Sequence, residues 1–198
     1  EHRAVVLELG TNHPGEIKSL AAVSRPNIAI ITCAAEAHLE AFGSVSNVAR
    51  EKGDLLPFQD DQGVSVLNAD DSHLTLWRSL APGKTLTFGR SQQADVRGEQ
   101  AHMNANGRAE FMVRYGDLIA DCSLRVLGGH QIMNALAAIA AATAAGVRFE
   151  DAARAVNTFE GVARRMTWKE TQRATLIDDA YNANPASFAA ALATLKNL

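Results

Sequence analysis

The chain has 198 residues, 47% of them hydrophobic and 21% charged, with a formal net charge of -3. That is the composition of an ordinary folded protein. It offers no broad basic field for nucleic acid, so any polyanion must be held locally by loop amides, a few cations and a metal.

Residues 5–9 (Val-Val-Leu-Glu-Leu) carry the pattern of a buried strand. Glu1-His2-Arg3 runs straight into them, and no signal peptide is expected. Pro14 suits a first helical turn, and a helix is expected over 15–23 until Arg25-Pro26 stops it. Residues 28–32 read as a second strand. Ser44 is placed to cap a helix running to about residue 56. A strand over 64–67, a helix over 71–80 and a strand over 85–88 follow. This βαβα order implies an α/β fold, a mostly parallel sheet flanked by helices.

From residue 95 to 126 the character changes. Runs at 109–115 and 118–126, separated by Asn104-Ala105-Asn106-Gly107 and Gly116-Asp117, predict a small antiparallel part. Gly128-Gly129 opens a helix from about 130 to 145, with Gly146 as its stop. A further helix is expected over 150–159 and a linker over 161–165. A strand, strand, helix series then reads as the start of a second domain. The boundary is set between 1–163 and 164–198. The chain stops within the helix-like segment 186–198, and is expected to be cut from something longer. No run approaches the roughly 20 apolar residues of a membrane helix. Cys33 and Cys122 lie far apart in apolar stretches and read as buried thiols in a reducing cytosol.

The chemistry-bearing residues gather in loops. In an open α/β sheet, ligands sit at the carboxyl ends of the strands. Glu8 falls near such an end, in Leu7-Glu8-Leu9-Gly10-Thr11-Asn12-His13-Pro14-Gly15-Glu16. A carboxylate there must be paired, hydrogen-bonded or metal-bound, and a satisfied structural glutamate is as good a reading as a ligand. His38, in Ala35-Glu36-Ala37-His38-Leu39-Glu40-Ala41-Phe42-Gly43-Ser44, lies one loop over; a lone histidine is more often structural. Lys52 by itself reads as a solvated helix lysine with flanking ion pairs. Asp70 or Asp71 in Asn68-Ala69-Asp70-Asp71 reads as a helix cap. Gly128-Gly129-His130 before a helix is a plausible anion or nucleotide site, weak by itself. Arg164-Arg165-Met166 alone is a solvated linker. Asp178-Asp179-Ala180-Tyr181-Asn182-Ala183-Asn184-Pro185 crowds two carboxylates, a phenol and two amides between a short strand and a helix.

Together these runs resemble the Mur ligase family, over nearly the whole chain. The likeness is greatest to the branch that joins D-alanyl-D-alanine to UDP-N-acetylmuramoyl-tripeptide. The matching patterns are E-[ML]-G-x-N-HPGEI, AHLE-x-FGS, A-x-x-KG[DE], G-x-HN-x-x-NALAA, GR-[ML] and DD-x-YNANP. The resemblance implies the family's central ATPase domain and the start of a Rossmann-like C-terminal domain. It implies an ATP- and Mg²⁺-dependent amide ligase of peptidoglycan precursor synthesis, working through an acyl phosphate. Glu8, His38 and Lys52 would hold Mg²⁺, Lys52 after carbamylation, with His38 and Lys52 also counted as catalytic. His130, Asn134, Arg165 and Asp179 would bind the nucleotide. Asn12, His13, Tyr181, Asn182 and Asn184 would form a substrate or interface loop. A cytoplasmic monomer with no nucleic-acid or membrane partner is expected.

Two departures stand out. Gln131 occupies a position where the family usually has Asn. The Walker A loop, G-x-x-GK-[TS], is not found; Gly83-Lys84-Thr85 has the letters but no glycine five residues earlier, and precedes a strand. The chain by itself is therefore expected not to turn over. A sister ligase, cyanophycin-synthetase-like or folylpolyglutamate-synthase-like, and a non-catalytic scaffold module derived from the fold remain the alternatives.

Overall fold

The computed structural model describes residues 2–181, 185–196 and 198; the expectations for Asn182 and Asn184 lie outside the described residues. One sheet of six strands dominates, in simple chain order. It comprises β1 (Ile28–Ile31), β2 (Val64–Asn68), β3 (Lys84–Gly89), β4 (Val96–Met103), β5 (Arg108–Tyr115) and β6 (Leu118–Leu127). The pairings from β1 to β4 are parallel and those from β4 to β6 antiparallel. The mostly parallel sheet with a small antiparallel part is thus as the sequence implied. β4 is the hinge between the two modes. It joins β3 over only Phe88↔Val96 and Gly89↔Arg97, but pairs with β5 along most of its length.

Side chains of β2 alternate between two cores, as the two-residue period of a strand requires. Val66 faces a core completed by Phe88, Val96, Phe111 and Val113 from the sheet. It is covered by α5 (Gln131–Ala144) through Ile132, Leu136 and Ile139, and by α6 (Phe149–Val156) through Phe149 and Ala152. The alanines of α5 keep this helix thin, and Gly98 helps: a Cβ there would stand 3.0 Å from Leu136 Cδ1. Leu67 faces the opposite core with Ala29, Ile31, Ala49, Leu56 and Trp77. That core is covered by α3 (Val45–Gly53) and α4 (Leu74–Leu80). Trp77 is fully buried, and its indole N–H donates to the Ala49 carbonyl at 2.9 Å, so its one polar atom is satisfied.

The remaining elements are α1 (Glu16–Ser24), the four-residue α2 (Leu39–Phe42), a hairpin of β7 (Thr167–Glu170) and β8 (Thr175–Asp178), and α7 (Pro185–Lys196). Among the described residues no helix is long and apolar enough to cross a membrane.

Several expectations are corrected. Residues 5–9 form no strand. Val5, Val6 and Leu7 are 78%, 92% and 60% exposed, because no described strand offers this extended segment hydrogen bonds or cover. Glu8 is accordingly exposed, not a carboxylate in a buried strand. Cys33 is exposed, since it falls in the loop past β1; only Cys122 is buried. Its thiol is pushed up to about 12, by desolvation first and the Asp121 charge second. The helix expected from residue 71 begins at Leu74, with His73 at its N-cap, so neither Asp70 nor Asp71 is the cap. The helix capped by Ser44 ends at Gly53, and a 3-10 turn, Leu56–Phe58, follows; Ser44 Oγ accepts from the Asn47 amide as expected.

Candidate functional site

The loops after β1, β2 and β3 lie side by side, and the Asn68–Asp71 run laces them together. Asn68 Nδ2 donates to the Thr32 carbonyl at 2.7 Å. Asp71 Oδ2 accepts from the Ala34 amide at 2.8 Å, and its Oδ1 takes the His73 amide and faces the His73 ring. Asp70 accepts from the amides of Arg90 and Ser91. Gly89 makes room for this, since a Cβ there would stand 2.6 Å from Asp70 Oδ1. The two aspartates therefore hold neighbouring loops to each other at the carboxyl edge of the parallel strands, the position at which such sheets bind ligands.

The loop of residues 11–16 is pinned from two sides. Glu51 of α3 is 5% exposed. Its carboxylate accepts from the amides of Gly15 and Ile17 at 2.8 and 2.9 Å, and lies 3.2 Å from the Thr11 hydroxyl. Gly15 sits at the N-cap of α1 with φ of 89° and has no side chain to cap the helix. Glu51 takes over that task from another helix, placing negative charge at the positive end of α1. Glu16 folds back on the same loop, accepting from the amides of Asn12 and His13 at 2.6 and 3.0 Å. Those two bonds, Asn12's first, lower its carboxyl from the ordinary 4.5 to about 2. The backbone of Asn12 and His13 is thus occupied, and their exposed side chains are what face outward. Sequence reading missed Glu51. The available signal was its position three residues after Val48, on the buried face of α3.

Of the metal candidates, Lys52 is the one the structure fixes. Its Nζ donates to the Cys33 carbonyl at 2.6 Å, which brings α3 against the start of the loop that leads to His38. Among the described residues no ion pair to Lys52 is formed, so the solvated, ion-paired lysine is not what is seen. His38 adopts a left-handed backbone, φ 52°, at the N-cap of α2, with no capping bond from its side chain. This conformation is uncommon for a residue with a Cβ. Glu8 and His38 are both exposed, and neither side chain is hydrogen-bonded to the described protein. Among the described residues no three His, Cys, Asp or Glu side chains form a metal-holding group. Mg²⁺ takes one or two carboxylates and completes its shell with phosphate and water oxygens. Glu8 fits as a free oxygen donor, while the His38 nitrogen is a minority ligand for this cation and is implied by the resemblance alone. Lys52 as an ammonium does not fit, and serves only as a carbamate.

The nucleotide candidates form a second cluster. Gly128, with φ of 99°, admits the His130 ring: a Cβ there would stand 2.6 Å from His130 Cε1 and 2.8 Å from Thr194 Oγ1 of α7. Desolvation lowers the His130 pKa, while the nearby Asp179 charge works the other way. Gln131 Nε2 lies 3.2 Å from His130 Nε2, and Asn134 Nδ2 donates to Gln131 Oε1 at 3.0 Å. After β8, Asp179 Oδ1 accepts from the Met166 amide at 3.0 Å, and the Tyr181 amide donates to the Arg164 carbonyl at 3.1 Å. The Arg165 guanidinium stands 4.3 Å over the Tyr181 ring. Arg165, Asp179 and Tyr181 are therefore brought together, with His130 within electrostatic reach of Asp179. A concavity of about 580 Å³ beside Arg97, Arg114 and Tyr115 contains none of the candidate residues.

The profile of the Mur ligase middle domain matches residues 1–142. The chain belongs to the Mur ligase family. A UDP-N-acetylmuramoyl-tripeptide--D-alanyl-D-alanine ligase of Mycobacterium bovis is 34% identical over 193 residues, covering 96% of this chain and 38% of its own. Crystal structure I of MurF from Acinetobacter baumannii superposes with a TM-score of 0.92 at 30% identity, covering 98% of this chain and 42% of that one. The MurF ligase of Thermotoga maritima in complex with ADP shares the fold, with a TM-score of 0.85 at 23% identity, over 97% and 44% of the two chains. This Mur ligase chain spans about two fifths of the length of the curated relatives it matches. The profile ends before the linker, so the second cluster draws on residues both inside and beyond the matched middle domain.

Proposed function

We propose that this Mur ligase chain works within an ATP-dependent ligase that joins D-alanyl-D-alanine to UDP-N-acetylmuramoyl-tripeptide. Residues 1–163 would serve as its ATP-binding domain, and 164–198 as the linker and start of the domain that closes on it. The observation that carries this reading is the Lys52 Nζ–H on the Cys33 carbonyl at the carboxyl edge of β1, which sets Lys52 beside the loop of His38; a carbamate keeps one such N–H. The sequence runs shared with ligases of this specificity, and the relatives that bear that name, support it.

In this reading ATP phosphorylates the terminal carboxylate of the tripeptide. The amine of D-alanyl-D-alanine attacks the acyl carbon, the C–O bond to phosphate breaks, and phosphate leaves as the amide forms. Mg²⁺, held by Glu8, His38 and a carbamylated Lys52, would supply charge neutralisation at the phosphates. Asn134 and His130 would bind the base side of the nucleotide. Arg165 would leave the Tyr181 face for phosphate, and Asp179 would meet the ribose as the domains close, excluding water from the acyl phosphate. Asn12 and His13 would present their side chains to the acceptor.

The test is phosphate release by the full-length protein. It should require ATP, Mg²⁺, the tripeptide nucleotide and D-alanyl-D-alanine together. Release with a single amino acid replacing the dipeptide would favour a sister ligase, and no release with the complete set would overturn the reading.

A further inference from the structure

Ser46, His73 and Asp71 form a constellation that the proposed ligase chemistry does not use. Asp71 lies in the loop after β2, and backbone amides fix both its oxygens, Ala34 on Oδ2 and His73 on Oδ1. The same Oδ1 lies 3.0 Å from His73 Nδ1, and the Ser72 hydroxyl lies 3.3 Å from that nitrogen. The other ring nitrogen, Nε2, lies 3.4 Å from Ser46 Oγ on α3. An ionised carboxylate only accepts, so Nδ1 carries the proton, and in the neutral ring Nε2 offers a lone pair to the serine hydroxyl. Burial grades along the chain of contacts. The Asp71 side chain is 7% exposed, the His73 side chain is 18% exposed with its ring 6.2 Å from that of Trp77, and Ser46 is exposed.

We propose that Ser46 is an activated nucleophile that takes an acyl group from small activated carboxylic esters, with His73 as its general base and Asp71 positioning that base. Nucleophile, base and orienting carboxylate in mutual reach define such a site by geometry, whatever the fold or the order along the chain. Ser46 Oγ attacks the ester carbonyl carbon as its proton passes to His73 Nε2. The bond from the acyl carbon to the leaving oxygen then breaks, and the proton moves from Nε2 to that oxygen. An alcohol departs and Ser46 is left acylated; water repeats the sequence and releases the acid. Donors for the oxyanion stand close by in the chain. Ser46 is the second residue of α3, where the amides of Val45 and Ser46 have no intrahelical acceptor and no acceptor among the described residues. The 3.4 Å contact is long for a working pair, and such contacts are commonly loose before a substrate is bound. An exposed serine suits a small ester with a good leaving group, which needs little binding surface.

The test treats the full-length protein with a fluorophosphonate, in the absence of ATP, and maps the labelled peptide by mass spectrometry. Ser46 should react about a hundredfold faster than the other exposed serines, the lower end of what a placed general base supplies. With p-nitrophenyl acetate, a burst of p-nitrophenol should accompany acetylation of Ser46. Ser46→Ala changes an exposed group and should abolish both signals. His73→Gln should bring Ser46 down to the rate of an ordinary serine. Asp71→Asn should slow labelling and, by nitrogen-15 NMR, cost His73 its Nδ1–H tautomer. Slower labelling with that tautomer intact would mean that Asp71 acts only by fastening its loop, and would overturn its positioning role. Labelling of Ser46 no faster than its neighbours, or undiminished in His73→Gln, overturns the proposal and leaves a hydroxyl–imidazole link that merely ties α3 to α4. If Asp71→Asn fails to fold, Ser46→Ala and His73→Gln decide.

Discussion

The two clusters of candidate residues are held in opposite ways. On the side of the metal candidates, Glu51 fastens the loop of residues 11–17 and Asp71 the start of the loop that leads to His38, while the Glu8 and His38 side chains are left without partners among the described residues. Around His130, Asn134, Arg165 and Tyr181 the functional side chains are themselves engaged with one another, on exposed surface. In the proposed reading the difference follows from what each would do. A metal and its phosphates bring their own strong fields, so their ligands need a fixed origin and free donors. A base offers weak, directional contacts, so the groups that read it bind better when they are already oriented before it arrives.

The contrast is broken most severely at Glu51. Glu51→Ala strands the amides of Gly15 and Ile17 beneath a buried surface and should cost about 2–4 kcal/mol in denaturant unfolding. Glu51→Gln keeps an oxygen for one of the amides and should cost less, about 1–2 kcal/mol. A second readout comes from Asp54, whose carboxyl is raised by desolvation and then by the Glu51 charge. In Glu51→Gln its titration should move down. A loss of stability with Asp54 unmoved would mean that Glu51 acts by packing and not as the carboxylate described.

The parallel half of the sheet was legible because β1, β2 and β3 are apolar runs between turn signals, and the α5 end because Gly146 stops it with φ of 86°. β4 was not, since Val-Arg-Gly-Glu-Gln-Ala-His-Met has no clean alternation; it is a strand because β3 and β5 both offer it an edge. The reverse error at residues 5–9 has the same cause. An apolar alternation states what a strand would bury, not whether a neighbour exists to pair with it. In the candidate site, motif runs named the loops but not their fastenings. Glu51 reaches Ile17 across 34 residues, and Asp71 reaches Ala34 across 37. Separations of that size leave no local pattern. The reading of Asp70 and Asp71 as caps failed because these side chains serve other loops before their own helix.

Glu16 sharpens the comparison through pH. Its pKa is lowered from 4.5 to about 2, so its hold on the Asn12 and His13 amides is at full strength above pH 4.5. That hold weakens as pH falls from 4.5 and is lost below about 2. Carbon-13 titration of the Glu16 carboxyl should give a midpoint near 2, and amide exchange at Asn12 and His13 should accelerate over the same interval. A midpoint at the ordinary 4.5 would show that the loop is held by Glu51 alone.

The smallest effect is the one the contrast requires of the free donors. Glu8→Gln neutralises, and His38→Ala removes, a side chain that is exposed and makes no hydrogen bond within the described protein. Each should change unfolding free energy by no more than about 0.5 kcal/mol. His38 is the more telling of the two, because it holds a left-handed backbone at φ 52° without any bond from its side chain. If the surrounding loop imposes that conformation, through Asp71 on Ala34 and Lys52 on Cys33, then His38→Gly should be stabilising, since glycine enters the left-handed region without the Cβ penalty. The gain is set against glycine's larger loss of freedom on folding, so a rise of up to about 1 kcal/mol is expected. A histidine that costs stability where glycine would improve it is being kept for something other than the fold. A loss on His38→Gly would place the side chain among the structural contacts and remove the distinction between the two clusters at that residue.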